Sequence, residues 1–284
     1  MNHYTASLLV GLLFSSTLAS AAPLQVTPIY TSEQSFNVTA SLISGNKQVM
    51  LVNGFFNRAD ALRAAAQILD SGKTLTTIFV SHGDPDYYFG LESLIDIFPK
   101  AKVVATAATI AHIEQTQAAK LQFCSPKMGN NAPTRLIMPT LASAEHLLVD
   151  GETVEIQGSG AKTYLWIPSA KAVVGGITVF GNMHLWMADD AKPADWALWR
   201  GTLDGIQALK PALVIAGHAT ANSPTDQRAV TFTQTYLAQY AKANSTSKNS
   251  AELIQSMQRL YPDLPEVSNL QMGAKVVKGE MQWH

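Results

Sequence analysis

Strand-like patterning opens this chain and then alternates with helical patterning, twice over. The first extended stretches fall at 24–30, 37–43 and 47–52, the last two separated by the hairpin-type turn Ser44-Gly45-Asn46. Asn53-Gly54 breaks the third before 58–69, where Leu62, Ala65, Ala66 and Leu69 recur at helical spacing until Ser71-Gly72 stops the helix. The apolar run 75–80 predicts a buried strand, 91–98 a helix and 102–105 another buried strand. Residues 109–121 predict a helix with Ile110, Ile113, Ala118 and Ala119 turned inward, and 124–134 dissolve into a Gly/Asn/Pro-rich loop. Strand character returns at 136–138, 145–149 and 153–156, with the hairpin signal Asp150-Gly151 between the last two. A further strand pair, 164–168 and 172–175, flanks Ser169-Ala170-Lys171. Helix 196–209 carries Trp199, Leu203, Ile206 and Leu209 on one side, and a buried strand at 212–216 delivers Gly217-His218. Helices at 226–243 and 251–260, joined by a polar linker, and a short tail complete the pattern. That order is expected of a β-sandwich covered by helices on both sides.

Composition narrows this little. With 47% apolar and 14% charged residues and a net charge of −1, the 284-residue chain can build a large core and carries no electrostatic signature. A nucleic-acid partner would show as a basic stripe, and no such stripe is present. Residues 8–14 form a short apolar run followed by small residues ending in Ala19-Ser20-Ala21 before Ala22-Pro23. This is the pattern of a secretory signal cut after Ala21, and the run is too short to span a membrane comfortably. We therefore expect 1–21 to be a signal peptide and 22–284 a single domain with C-terminal helices, periplasmic or secreted and free of the membrane after cleavage. The single cysteine, Cys124, allows no internal disulfide and reads as a small buried or half-buried residue.

The chemistry concentrates in Val80-Ser81-His82-Gly83-Asp84-Pro85-Asp86-Tyr87-Tyr88-Phe89-Gly90. One imidazole and two carboxylates alternate on a short turn at the carboxyl end of a strand, where α/β proteins gather ligands and catalytic groups. Neutral imidazole nitrogen and ionised carboxylate oxygen are the donors a divalent cation takes. His184, in the loop-like Phe180-Gly181-Asn182-Met183-His184, reads as a pocket residue able to supply a proton or a substitute ligand. His112, beside Ile110 and Ile113, reads as structural, and His146, in a strand-like run, as structural or exposed; Trp186, Trp196 and Trp199 could line an apolar pocket but read as core.

A His/Asp-bearing turn early and a strand-Gly-His late resemble the metallo-β-lactamase superfamily, from around Phe36 to His218. In that superfamily a strand ends in H-x-H-x-D-H; the corresponding positions here are His82, Asp84, Asp86 and Tyr87, with Gly90 following where the family commonly has Gly. The family's closing P-G-H resembles Ala216-Gly217-His218, and its strand pair ending in G-D, with a metal-bridging Asp, resembles Val173-Val174-Gly175-Gly176. The resemblance implies an α/β fold, the four-layer αββα β-sandwich of the metallo-β-lactamase type.

The departures change what the resemblance implies about chemistry. Asp84 replaces the second motif His, Tyr87 the fourth position and Gly176 the bridging Asp, while the middle His has no counterpart in Gln157-Gly158-Ser159-Gly160-Ala161-Lys162. What remains is a mononuclear set, His82, Asp84, Asp86 and His218, for one divalent ion, zinc first, with iron or manganese as alternatives. The implied activity is hydrolysis of an ester, a lactone or a related small-molecule bond. Asp86 would orient or deprotonate water, and Tyr87 or His184 would assist the developing oxyanion. The alternatives are a non-catalytic periplasmic member that binds a small ligand, and a metal-free enzyme using Asp86 and His82 as an acid–base pair. Substrate identity belongs to loops and stays open at this stage.

Overall fold

The computed structural model of the chain describes residues 22–283, so the segment read as a secretory signal lies outside the described residues. Two sheets face each other. The first runs in the order β1 (Gln25–Tyr30), β2 (Thr39–Ser44), β3 (Gln48–Val52), β4 (Thr74–Val80), β5 (Lys102–Ala105), β6 (Thr140–Leu141). It is antiparallel through β3 and parallel from β3 onward. The second joins β7 (His146–Val149), β8 (Glu152–Gln157), β9 (Tyr164–Ile167) and β10 (Ala172–Val174) in antiparallel succession, with β12 (Leu213–Val214) parallel to β10 at the edge. A short parallel pair, β11 (Phe180–Gly181) and β13 (His218–Ala219), carries His218.

Alternation along the strands divides the core. Met50, Val52, Phe79 and Val104 point between the sheets and meet Val154, Leu165, Ile167 and Val174 from the other side. Their neighbours Val49, Leu51, Ile78 and Val80 point outward into the helices. The helices are α1 (Arg58–Asp70), α2 (Pro85–Tyr88), α3 (Leu91–Ile97) and α4 (Ala107–Met128) along the first half, then α5 (Pro193–Ala208), α6 (Gln227–Thr246), α7 (Ser250–Leu260) and α8 (Val267–Val277). In the first half α1 packs on α3; in the second α5 packs on α6, α6 on α7 and α7 on α8, with α6 also against β11 and β12. The result is the αββα sandwich, and among the described residues no helix is long and apolar enough to cross a membrane.

Four departures from the sequence pattern have physical causes. In α1 the buried stripe is Ala61, Ala64, Ala65 and Ile68, while Leu62 and Leu69 are 42% and 59% exposed, so the inward face is the small-residue one lying one position away. Helix α4 does not stop before Cys124 but runs to Met128, carrying Pro126 in its last turn and ending at Gly129 with φ +55°. Its buried positions include Ile113 and Lys120, whereas Ala118 and Ala119 face solvent. Residues 136–138 form no strand; the sheet edge is the two-residue β6 that follows. The tail holds α8, which packs through Leu270, Gly273 and Ala274.

Candidate metal centre

The His82 turn is fixed by three strand ends. Asn53, at φ +74° just after β3, donates from Nδ2 to the Thr39 carbonyl (3.0 Å) and accepts at Oδ1 from the Ser81 hydroxyl (2.6 Å). The Ser81 hydroxyl in turn accepts from the backbone N–H of Gly176, beyond β10 (2.7 Å). Both sheets are thereby tied together one residue before His82. Pro85 then opens α2 at its first position, where its missing N–H costs nothing and its fixed φ suits the helix. Asp84, preceding the proline, is extended at φ −85° and ψ 154°, His82 and Gly83 lie in a bend, and Asp86 and Tyr87 fall on the first helical turn.

One cluster gathers around His82. Its Nε2 lies 3.2 Å from Asp84 Oδ2, and a carboxylate oxygen of Asp189 joins them, with all three ligand atoms within 4.8 Å of one another. Asp189 is held from behind: the Trp186 indole N–H donates to Oδ2 and the Trp283 indole N–H to Oδ1, each at 2.7 Å, and the two indoles meet edge to face at 5.2 Å. The next residue, Asp190, accepts from Lys162 Nζ (2.6 Å) and, at its carbonyl, from the Trp196 indole (2.6 Å). Lys162 also rests on the Trp199 ring at 3.8 Å. The 186–190 loop is thus clamped to the 160–162 turn, the segment that lacks the family's middle histidine.

The other oxygen of Asp84 faces α4. Lys120 Nζ donates to Oδ1, His112 Nε2 lies 3.4 Å from the same oxygen, and Lys120 and His112 are 3.1 Å apart. Burial alone would raise the Asp84 carboxyl, but His82, His112 and Lys120 around it hold it well below the usual carboxylate range. His112 thus faces the site rather than the core, one side of a cavity of about 260 Å³ lined by His82, Gly83, Thr109, Gln115 and Gly160. The readable signal was its spacing: His112 and Lys120 lie eight residues apart, close to one helical face.

A second cluster surrounds His218. Its Nδ1 lies 2.8 Å from the Phe36 carbonyl, which can only accept, so Nδ1 carries the proton and Nε2 the lone pair. The Tyr87 hydroxyl donates to that Nε2 at 3.0 Å, and Asp86 Oδ2 is 3.5 Å away. Burial lowers His218 to about 4. Burial, followed by the Asp84 charge, pushes the Asp86 carboxyl well above its ordinary value, and burial likewise raises the Tyr87 phenol. Gly176, which the sequence resemblance sets against a bridging Asp, has φ +72°, and a Cβ there would lie 2.1 Å from the Thr163 carbonyl oxygen. The backbone of the sister strand occupies the space where that side chain would begin.

Of the residues read from the sequence as ligands, the structure brings His82 and Asp84 together and pairs Asp86 with His218 in the neighbouring cluster. Asp189, which no motif signalled, supplies the third donor to the first. One imidazole and two carboxylates in reach of each other, beside a cavity, are a donor set that fits one divalent ion. His184 lies in the aromatic layer under α6: its Nδ1 meets the Tyr236 hydroxyl at 2.8 Å, its Nε2 has no partner among the described residues, and burial lowers it to about 4. Trp199 and Trp196 are core residues whose indoles bond the Thr178 and Asp190 carbonyls.

The sequence model of the metallo-beta-lactamase superfamily matches residues 35–122. Among solved structures, a beta-lactamase domain protein from Burkholderia ambifaria aligns over 94% of this chain and 89% of its own, at 14% identity and a TM-score of 0.61. The metallo-beta-lactamase from Hirschia baltica aligns over 76% of this chain and 97% of its own, at 16% identity and a TM-score of 0.52. The DIM-1 metallo-beta-lactamase aligns over 77% and 99%, at 16% identity and a TM-score of 0.52. A search of curated proteins returned no match.

Proposed function

We propose that the chain belongs to the metallo-β-lactamase superfamily and is a metal-dependent hydrolase of a small ester, lactone or related bond, working with at most one divalent ion; the superfamily model over residues 35–122 and the shared fold support this reading. The observation that carries this reading is the convergence of His82, Asp84 and Asp189 to within 4.8 Å at the end of β4, next to a cavity that reaches His82. These three residues would hold the ion, zinc first, with iron or manganese as alternatives, and it would supply Lewis-acid polarisation of the scissile carbonyl.

The remaining groups handle protons. Asp86, whose carboxyl burial and the Asp84 charge push upward, is placed to hold a proton 3.5 Å from the His218 lone pair. Tyr87, whose hydroxyl is a donor at neutral pH, can turn its proton from His218 to an oxyanion developing at the site. His112, half-exposed at the cavity wall, is placed to meet a departing group. The substrate is a small molecule, and the signal-like segment at 1–21 supports a periplasmic or secreted location.

A second reading has its own support. Tyr87 and Lys120 already satisfy His218 and Asp84 within the protein, an arrangement suited to a non-catalytic member that binds a small ligand in the same pocket. Elemental analysis of the purified protein, with a panel of 4-nitrophenyl acetate, γ-butyrolactone and longer-chain homologues, separates the two. The enzyme reading expects near-stoichiometric zinc, iron or manganese and turnover lost on chelation and restored by one of these ions. Undiminished turnover in rigorously metal-free protein sinks it, and metal-loaded protein inert on every ester and lactone favours the binding member.

A further inference from the structure

Lys120 is an unusual residue to find nine-tenths buried on the inner face of a helix. Its ammonium does not reach solvent in the manner of a surface lysine; it ends on Asp84 Oδ1 and beside His112 Nε2. The charged groups facing it are few and all belong to the site: Asp84 directly, with Asp86 and Asp189 within electrostatic reach. Against these carboxylates Lys120 supplies a cation that metal binding does not remove, whereas an imidazole must present a free lone pair, and so be neutral, to act as a ligand. Asp84 is bipolar in consequence: Oδ2 turns to His82 and Asp189, while Oδ1 is already spoken for by an ammonium.

We propose that Lys120 is a built-in monovalent counter-ion of the metal centre, a fixed ammonium that neutralises Asp84 in the metal-free protein and lowers the site's affinity for a divalent cation. The charge count supplies the direction. Asp84 and Asp189 with Lys120 sum to −1, and a divalent ion brings that set to +1; without Lys120 the same two carboxylates and one divalent ion sum to zero. Lys120 is buried and Asp84 only partly exposed, so salt screens this difference less than it would screen a surface pair, although Asp189 lies at the exposed side of the set. The same ammonium gives the empty protein a partner for its buried carboxylate, so folding does not wait for metal. Such a device permits one loosely held ion and leaves the site charge-compensated when that ion departs. The inference rests on the metal-binding reading of the His82 cluster and is independent of which bond, if any, is hydrolysed.

The test is zinc affinity, measured by competition with a chromophoric chelator on the full chain, together with thermal unfolding with and without zinc. Lys120→Met, which keeps the length and removes the charge, is expected to bind zinc at least tenfold more tightly than wild type. It should also unfold at lower temperature when metal-free and show a larger stabilisation by zinc. Lys120→Arg, which keeps the charge, should track wild type in affinity. Lys120→Gln, which keeps a donor to Asp84, carries the same expected gain and stands in should the Met variant not fold. A purely structural lysine would lower the unfolding temperature in Lys120→Met with zinc affinity unchanged, and that result overturns the proposal while leaving the metal centre intact. Absence of zinc binding in wild type and in both neutral variants overturns the metal reading itself, and this inference with it.

Discussion

The Tyr87 hydroxyl donates a 3.0 Å hydrogen bond to Nε2 of His218, and in doing so it occupies the one lone pair that His218 could offer a metal. The Phe36 carbonyl on the other ring nitrogen fixes that tautomer. Tyr87→Phe leaves the buried Nε2 with only Asp86 Oδ2, at 3.5 Å, as a neighbour and is expected to destabilise the protein by about 1 kcal/mol, rising toward about 3 if Asp86 does not move in to replace the lost donor. Metal content should be unchanged in this variant and lost in His82→Ala, because the ion belongs to the His82 cluster. Urea unfolding and elemental analysis of both variants check this; metal retained in His82→Ala would instead take the ion out of the His82 cluster.

Gly176→Asp, which puts an acid where the sequence resemblance expects a bridging Asp, is expected not to create a second metal site. The residue must hold φ +72°, and its Cβ would sit 2.1 Å from the Thr163 oxygen, a backbone atom that cannot rotate aside. Left-handed strain and the clash together are expected to cost on the order of 3 kcal/mol or more. The Ser81 hydroxyl that accepts from the Gly176 N–H would be disturbed as well, and with it the anchor of the His82 turn. A variant that folds with wild-type stability and gains a second equivalent of metal is the contrary result.

Much of this architecture was legible because it depends on local pattern. The run ending in Val80, the Asp150-Gly151 hairpin and the strand before His218 are set by periodicity and turn chemistry, and the structure reproduces them. Leu62 and Leu69 outweigh alanine on any hydrophobic scale, yet the face of α1 that is buried, with α3 as its neighbour, is the small-residue one. Asp189 was invisible for a different reason. It becomes a site residue only through Trp186, Trp283 and the Lys162–Asp190 pair, contacts that span up to 94 positions in sequence and carry no fixed spacing. Lys120 was hidden by expectation: lysine on a helix reads as solvated until its partner, Asp84, is found 36 residues earlier.

The penultimate residue is predicted to matter for metal binding. Trp283 donates to one carboxylate oxygen of Asp189 and packs against Trp186, which donates to the other. Partners of this kind orient a ligand, and their loss commonly costs 10–100-fold in metal affinity, roughly as expected for an outer-shell residue. Trp283→Phe keeps the ring contact and removes the donor, so zinc affinity should fall in that range while unfolding in urea changes little. Indole emission offers an independent readout, since zinc binding at Asp189 should perturb wild-type Trp fluorescence and perturb the variant less. Equal affinities in the two proteins would remove Asp189 from the ligand set.

Acid should destabilise the metal-free protein over a defined window, and His184 provides the cleanest measure of it. Its folded value is lowered to about 4 by burial, from an ordinary value of 6.5, so between those limits the unfolded chain binds the proton and the folded one does not. The stability that neutral His184 contributes is therefore complete above pH 6.5, declines as pH falls toward 4, and is fully lost below that. Across the whole window the loss is on the order of 3 kcal/mol. His218, also lowered to about 4, acts in the same direction, while Asp86, raised by burial, opposes both by favouring the folded state at low pH. His184→Gln isolates one contribution: urea unfolding of chelated protein at pH 7, 5 and 4 should give a shallower decline for the variant than for wild type. Parallel declines would mean that His184 is protonated in the folded protein, with its unpaired Nε2 as the acceptor of that proton.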